Sequence, residues 1–431
     1  MLKHLPDHCA PRALAPHDAP LRILLASYRS HPHVGGQGVY VHYLSKALRD
    51  LGHRVDVASG PPYPDLAAGI GLVKLPSLDL FSADNALAAI RRRHFSSWSD
   101  LSEWLAHNSG AFGEPYAFGR RLRRFIRINP GRYDVIHDNQ TLARALLKIR
   151  NTVPVVATLH HPISIDLRLA LQAERRWWMR ALIRRWHRFV RMQAGVARRL
   201  DPILTVSEAS KTAAMKDFGV PAQAFHVVPN GVDQSIFAPR ADVRREDNLI
   251  VTTASADTPL KGLPVLIAAF AKIARDFPAL RLAVIGRLRK GPTRDAITAA
   301  HLQDRISFHS SLDQTQIAGL FCRAAMMVSP SLFEGFGLPA AEAMACAAPV
   351  IVSDGGALPE VAGDAALITP RGDAAALAGA MTRLLQDREE RQRLGMAGLA
   401  RAQKLFSWRR HAQEAVQLYR QAIRAHGLAH H

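Results

Sequence analysis

Two glutamates, Glu334 and Glu342, stand with seven residues between them in "SPSLFEGFGLPAAEAMACAAPVIVSDGG" (329–356), a stretch otherwise small and apolar. Between them "GFGL" leads into a helix, with Pro339 suited to the first helical position. The free N–H groups of such a helix start favour an anion, phosphate above all. Glu334 falls in the loop and Glu342 about one turn into the helix. The helix dipole accounts for an acidic residue in a first turn, hence for Glu342, but not for Glu334. Two carboxylates flanking an anion-binding turn suit a ligand that carries both hydroxyls and phosphates. Lys261, in "ADTPLKG" (256–262), adds a positive point charge beside a glycine, the form in which lysine meets phosphate. "LHHPIS" puts His160 and His161 at a strand end, where an imidazole donates to a ligand hydroxyl or takes part in acid–base chemistry. A solvated lysine and structural histidines are the plain alternatives there. "GGQG" (35–38) follows a strand and opens a helix, and Gly36 lets the backbone approach a phosphate. The frame Gly36-x-Gly38-x-x-Val41 lacks the third glycine of the dinucleotide fingerprint, so a nicotinamide cofactor is not expected. A tight turn without a ligand is the alternative for it.

These residues need elements to hold them. "LRILLAS" (21–27) is a short apolar run of the kind that forms a buried parallel strand. The next segment places Tyr40, Leu44, Ala47, Leu48 and Leu51 on one helical face, and Gly52 stops the helix. "HRVDVAS" (53–59) is the following strand, and further strands are expected at 133–139, 153–161, 201–208 and 225–231. A second series begins near Asn248, with strands in "NLIVTTASA", "LRLAVIG", "RISFHSS", "AAMMVSP" and "APVIVSD". Alternation of strand and helix in both halves predicts an α/β protein with two Rossmann-like, doubly wound parallel-sheet domains facing across a cleft. The expected division is a loose tail over 1–20, an N-terminal domain over 21–235, a C-terminal domain over 236–405 and a last helix over 406–431. In open parallel sheets ligands bind at the carboxyl ends of the strands, so the loops just after each strand matter most.

The stretch around Glu334 and Glu342 resembles the E-x7-E motif of retaining family 4 glycosyltransferases with the GT-B fold. The resemblance extends from residue 21 to about 425 and includes "GGQGVYVHYLSKALRDLGHRVDV", "TVSE" and "VPNGVD" in the same order. It implies a nucleotide diphosphate-sugar donor, linked to uridine or guanosine, and transfer to a hydroxyl acceptor such as a lipid or growing glycan. It implies that Glu334 holds hydroxyls of the donor sugar and that Glu342 holds the ribose. The amides of Gly337 and Leu338 would meet the diphosphate, with Lys261 neutralising it, Gly36 approaching from the other domain and His160 near the reacting carbon. Asp138 is expected on the acceptor side. The last helix is expected to cross back to the N-terminal domain. Many members pair the lysine with an arginine six residues earlier, a place held here by Ser255. The leaving phosphate itself accepts the acceptor's proton in this family, which gives retention without an enzymic nucleophile. No cofactor is expected. No D-x-D sequence occurs, in keeping with a metal-independent reaction.

Composition narrows the remaining classes. The chain has 431 residues, 48% hydrophobic and 21% charged, as in a soluble multidomain protein. No apolar run approaches the ~18 residues of a spanning helix, and the first twenty residues lack the apolar core of a signal peptide. Three cysteines, Cys9, Cys322 and Cys346, stand far apart and build neither a disulfide framework nor a zinc site, so a cytoplasmic location is expected. The net charge is +20, and ten of the 56 basic residues are lysine. Such an arginine excess favours anionic partners or reflects an arginine-rich proteome. It is concentrated in "ERRWWMRALIRRWHRFVRMQAGVARRL" (174–200). On a helix Trp178, Leu182, Trp186, Phe189, Val196 and Leu200 form one stripe, and Arg176, Arg180, Arg184, Arg188 and Arg191 another. The stretch reads as a long helix packing its aromatic face inward, or as a basic helix lying on anionic lipid at the inner membrane face. A sugar-nucleotide epimerase or phosphorylase of the same fold is the second enzymic reading. A basic nucleic-acid-binding protein is the third, though no nucleic-acid module is visible and nucleic acid is not expected as a partner.

Overall fold

The computed structural model describes residues 19–30, 36–80, 87, 90–91, 94, 97–253, 259–288 and 291–428. All but the last two residues of the expected tail, and Ser255, lie outside them. The described residues build two sheets. The first comprises β1 (Arg22–Ser27), β2 (Arg54–Ser59), β3 (Gly71–Lys74), β4 (Val135–Asn139), β5 (Val155–Leu159), β6 (Ile203–Thr205) and β7 (Phe225–Val227). The second comprises β8 (Glu246–Thr253), β9 (Arg281–Ile285), β10 (Ile306–His309), β11 (Ala324–Ser329), β12 (Val350–Ser353) and β13 (Leu367–Thr369). Their orders are β3-β2-β1-β4-β5-β6-β7 and β10-β9-β8-β11-β12-β13. Every strand pairing is parallel.

Central strands such as β4, β5 and β11 are buried along their whole length, because helices cover both faces of each sheet. Their continuous apolar sequences follow from that double burial. The edge strands β3 and β13 were not expected from sequence. They have four and three residues and keep exposed positions, so they lack the long apolar run that marks their neighbours.

In each sheet the order reverses beside the first strand, between β1 and β4 and between β8 and β11. Such a switch point leaves a crevice beyond the carboxyl ends of the strands. The chain passes between the domains twice, and the two passages are tied where the Val232 amide donates to the Phe406 carbonyl at 3.1 Å. Beside them Gly231 lies against Trp408, so close that a Cβ on Gly231 would stand 2.2 Å from the Trp408 nitrogen. The final helix, Trp408–Leu428, then covers one face of the first sheet. Its Trp408, Ala412, Val416 and Tyr419 share a core with Ile23, Leu25, Tyr40 and Leu44.

The segment 174–200 is not one helix. It breaks at His187–Arg188 into helices Trp177–Trp186 and Phe189–Ala197. The second half packs inward through Phe189, Val190, Met192 and Val196, whereas the first has no buried residue. Trp186 stacks on Phe112, but Trp178 and Leu182 of the same expected stripe are exposed. The stripe therefore does not form a single inward face.

Candidate functional site

The loop after β11 carries Glu334, and close backbone packing fixes its path. A Cβ on Gly262 would stand 2.0 Å from the Pro330 carbonyl oxygen, one on Gly355 2.2 Å from that of Ser331, and one on Gly356 2.3 Å from that of Glu334. Gly262 and Gly356 also have φ of 63° and 67°, the left-handed region that favours glycine. The Ala357 amide donates to the Glu334 carbonyl at 2.9 Å, and the Leu332 amide to the Leu260 carbonyl at 2.7 Å. Held in this way, the Glu334 carboxylate accepts from Lys261 Nζ at 2.7 Å and from Ser331 Oγ at 2.8 Å, both through Oε1. Lys261 follows β8 and Glu334 follows β11, so the ion pair spans the switch point of the second sheet.

Gly337, with φ of 100°, precedes the helix Leu338–Ala345. Pro339 occupies the second helical position rather than the expected first, since Leu338 already begins the helix. The Gly337 and Leu338 amides belong to the helix start, where donors have no intrahelical partner. Glu342 lies further along that helix. No hydrogen bond among the described residues reaches its carboxylate, and burial pushes its pKa up from 4.5 to about 7. Across from it stands Tyr43 of the first domain, whose hydroxyl donates to Gln314 of the second. Burial, and then the negative charges of Asp233 and Glu342, keep that phenol protonated.

The first domain presents His160 just beyond β5. The Asn139 Nδ2 donates to the Gln37 carbonyl and to Ser27 Oγ, each at 3.2 Å. A carbonyl can only accept, so the amide orientation is settled and Asn139 Oδ1 faces His160 Nε2 at 2.7 Å. Nε2 therefore carries the proton, and Nδ1 is left with a lone pair. Burial, and then the neighbouring imidazoles of His161, His137 and His411, hold the His160 pKa down to about 3. The ring is neutral at physiological pH. Gln140 fastens the same loop twice: its Oε1 accepts from the His160 amide at 2.6 Å, and its Nε2 donates to the His161 carbonyl at 2.7 Å. His161 itself pairs with Asp166 at 2.8 Å.

Asp138, expected on the acceptor side, is 0% exposed. Its carboxylate receives the Leu142 amide at 2.8 Å, and burial raises its pKa to about 7. It stabilises the turn in which Gln140 and Leu142 take φ of 54° and 48°, a conformation that costs non-glycine residues energy. Asp138 is thus a support beneath the site and does not face the cleft. Gly36 opens the helix Gly36–Asp50, and among the described residues nothing lies within 4 Å of a Cβ placed on it.

The two halves meet at Gly335. A Cβ there would come within 2.5 Å of the His160 carbonyl oxygen. Ser207 Oγ donates to the Gly335 carbonyl at 2.6 Å, and Ser210 Oγ to that of His160 at 2.6 Å. Glu360 of the second domain accepts from the amides of Glu208 and Ala209 at 2.9 and 2.6 Å, where a first-domain helix begins. Lys261, Glu334, Gly337 and Leu338 are thereby gathered on the second-domain wall, and His160 on the first.

Beneath His160, Tyr40 presents its ring edge-on at 4.6 Å and heads a buried hydrogen-bond series. His411 Nδ1 donates to the Pro229 carbonyl at 2.9 Å, so His411 Nε2 must accept from the Tyr40 hydroxyl at 2.9 Å. Tyr40 then accepts from Thr158 at 2.9 Å, Thr158 from His137 Nε2 at 2.6 Å, and His137 Nδ1 from Tyr419 at 2.5 Å. One proton assignment satisfies every member. Asn139, Gln140, Ser207 and Ser210 were not singled out from sequence, and Tyr40 reads there only as part of an apolar helix face. The available signals were the polar "HDNQ" at the end of an apolar strand and the paired serines of "SEAS".

Residues 236–401 match the glycosyl transferases group 1 family, and residues 34–236 match glycosyltransferase family 4. The chain is 42% identical to an MMP alpha-(1->4)-mannosyltransferase of Mycolicibacterium hassiacum, over 94% of this chain and 98% of that protein. It is 29% identical to a glycogen synthase of Mycobacterium tuberculosis, over 94% and 95%. Among solved structures, a sucrose-phosphate synthase from Thermosynechococcus elongatus superposes with a TM-score of 0.72 at 25% identity, covering 94% of this chain and 100% of that one. Anabaena HepE in complex with UDP-glucose superposes with a TM-score of 0.66 at 18% identity, covering 92% and 98%.

Proposed function

From the chain's membership of the family 4 glycosyltransferases with the GT-B fold, we propose that it moves a hexosyl unit, mannose, from a nucleotide diphosphate to a hydroxyl acceptor with retention. The sugar and an α-(1→4) linkage follow the named activity of the relative at 42% identity. The donor is a uridine or guanosine diphosphate-sugar. The observation that carries the reading is the Lys261–Glu334 pair on one side of the Gly337 turn, with the unpartnered Glu342 on the other. That arrangement offers a positive charge and helix-start amides to a diphosphate, and two separate carboxylates to two sets of hydroxyls.

In this reading Glu342 accepts from the ribose and Glu334 from hydroxyls of the sugar. The Gly337 and Leu338 amides and Lys261 stabilise charge on the leaving diphosphate without any need for a metal ion. His160, neutral and with Nδ1 unprotonated, accepts from a sugar hydroxyl near the reacting carbon. The bond from the anomeric carbon to the phosphate oxygen breaks, the bond to the acceptor oxygen forms on the same face, and the acceptor proton passes to the released phosphate. Holding donor and acceptor together with water excluded supplies much of the acceleration.

Incubation with UDP- and GDP-hexoses and a mannoside acceptor, in the presence of a chelator, tests the proposal. An α-linked product formed at undiminished rate is the expected result. A β-linked product, chelator-sensitive transfer, or no turnover of any nucleotide-sugar would each overturn the corresponding claim.

A further inference from the structure

The helix Trp177–Trp186 has ten residues and buries none of them. Trp177 is 80% exposed, Trp178 45% and Leu182 44%. The adjoining helix Trp98–Asn108 touches it through His107 and Trp186, and leaves Trp98 and Leu105 exposed as well. The apolar side chains stand among cations, for residues 174–200 contain nine arginines and a single carboxylate, Glu174. Glu174 is already engaged by Arg176. Among the described residues Arg184 and Arg188 are exposed and enter no ion pair.

We propose that this helix is a docking surface for an anionic lipid bilayer. Tryptophan and leucine enter the headgroup boundary while arginines keep their guanidinium groups at the phosphates, the division of labour of an interfacial helix. No helix among the described residues is long and apolar enough to cross a membrane, so the contact is peripheral. A second copy of the chain is a poor occupant, because the face would meet its own arginines. A nucleic acid needs a basic groove along its backbone, whereas the helix Trp177–Trp186 itself carries three arginines, Arg180, Arg184 and Arg185. The neighbouring cavity of about 370 Å³ is lined by Ser164, Leu167, Arg168, Leu171, Gln172 and Arg180, so it lies between the docking helix and the helix that follows His160 and His161. It gives an acceptor carried at the membrane surface room beside the cleft. The docking stands apart from the transferase reading, since it needs no donor.

The test is flotation of the full chain with vesicles of phosphatidylcholine, with and without phosphatidylglycerol, at low salt. The expected result is recovery with the anionic vesicles only, falling at least about tenfold in the combined Trp177→Ala, Trp178→Ala, Leu182→Ala variant. That variant should keep the parent's far-UV spectrum and its turnover of nucleotide-sugar with a soluble acceptor. Absence of the parent from the floating fraction would overturn the proposal. So would equal flotation of the variant, tryptophan-dependent dimerisation, or preference for an oligonucleotide over the vesicles.

Discussion

Both sheets reverse their strand order beside their first strand, yet the two crevices are furnished differently. In the first domain Asn139 and Gln140 spend their polar groups on their neighbours at the switch point. Asn139 bridges Ser27, Gln37 and His160, and Gln140 holds the loop of His160 and His161 from both sides. In the second domain Lys261 and Ser331 both donate to Glu334, and no hydrogen bond among the described residues reaches the Glu342 carboxylate. Groups that satisfy one another in this way present a shaped wall, although Asp138 Oδ1 and Gln193 Oε1 beneath them are buried without a partner among the described residues. A half-buried carboxylate without a protein partner is open to a ligand's hydroxyl donors. The first crevice is therefore set before binding, and the second is completed by it.

The comparison breaks most sharply at Glu334. Glu334→Ala should lower kcat at least a hundredfold, the scale of losing a group that meets the reacting sugar. Nucleoside diphosphate affinity by calorimetry should hold or rise, because Lys261 is released from its carboxylate. A parallel loss of nucleotide affinity would show that the pair serves only structure. Next comes the seam. Gly335→Ala places a methyl group against the His160 carbonyl, so domain approach should suffer. A loss of roughly ten- to a hundredfold in kcat is expected, with nucleotide affinity unaltered. Wild-type kcat in that variant would mean that the reaction does not need this closure.

Glu342→Gln tests the unfinished crevice. Ribose hydroxyls donate to the ionised form, so nucleotide affinity of the parent should rise between about pH 6 and 8, and the variant should lose about tenfold and that slope. Stability should move the other way. Because the folded pKa is raised from 4.5 to about 7, the folded chain keeps a proton that the unfolded chain releases, and stability falls as pH rises through this window. The variant should exceed its parent above pH 7 by on the order of 1–3 kcal/mol, read by denaturant titration, with little difference near pH 4. The smallest expected effect is at the self-satisfied side. Tyr40→Phe removes two hydrogen bonds and strands His411 Nε2. It should cost about 1–3 kcal/mol of stability with no change in nucleotide affinity.

The alternation of strand and helix was legible in the sequence because doubly covered strands must be continuous apolar runs. For the same reason β3 and β13 escaped notice, since edge strands are short and half wet. The second-domain site could be read because charged residues stand out against a small, apolar stretch. Asn139 and Gln140 could not, because a polar side chain that serves another side chain looks like any other loop residue. Asp138 misled for a related reason: a carboxylate at a strand end can face a ligand or cap a turn, and only the fold decides. The basic stretch hid its break because the periodicity of Trp178, Leu182, Trp186 and Phe189 continues across His187 and Arg188 while the side chains pass from exposed to buried.

The course of the last helix bears on how the molecule could be rebuilt. Trp408–Leu428 follows the second domain in sequence but fills the core of the first, and its His411 and Tyr419 are joined to Tyr40 and His137 in a single order of protons. A chimera that imports a foreign donor module by cutting once, after Val232, would import a foreign tail as well and leave the native face of the first sheet bare. The exchangeable unit is an insert with two seams, at Val232 and at Phe406, whose backbones are already bonded to each other.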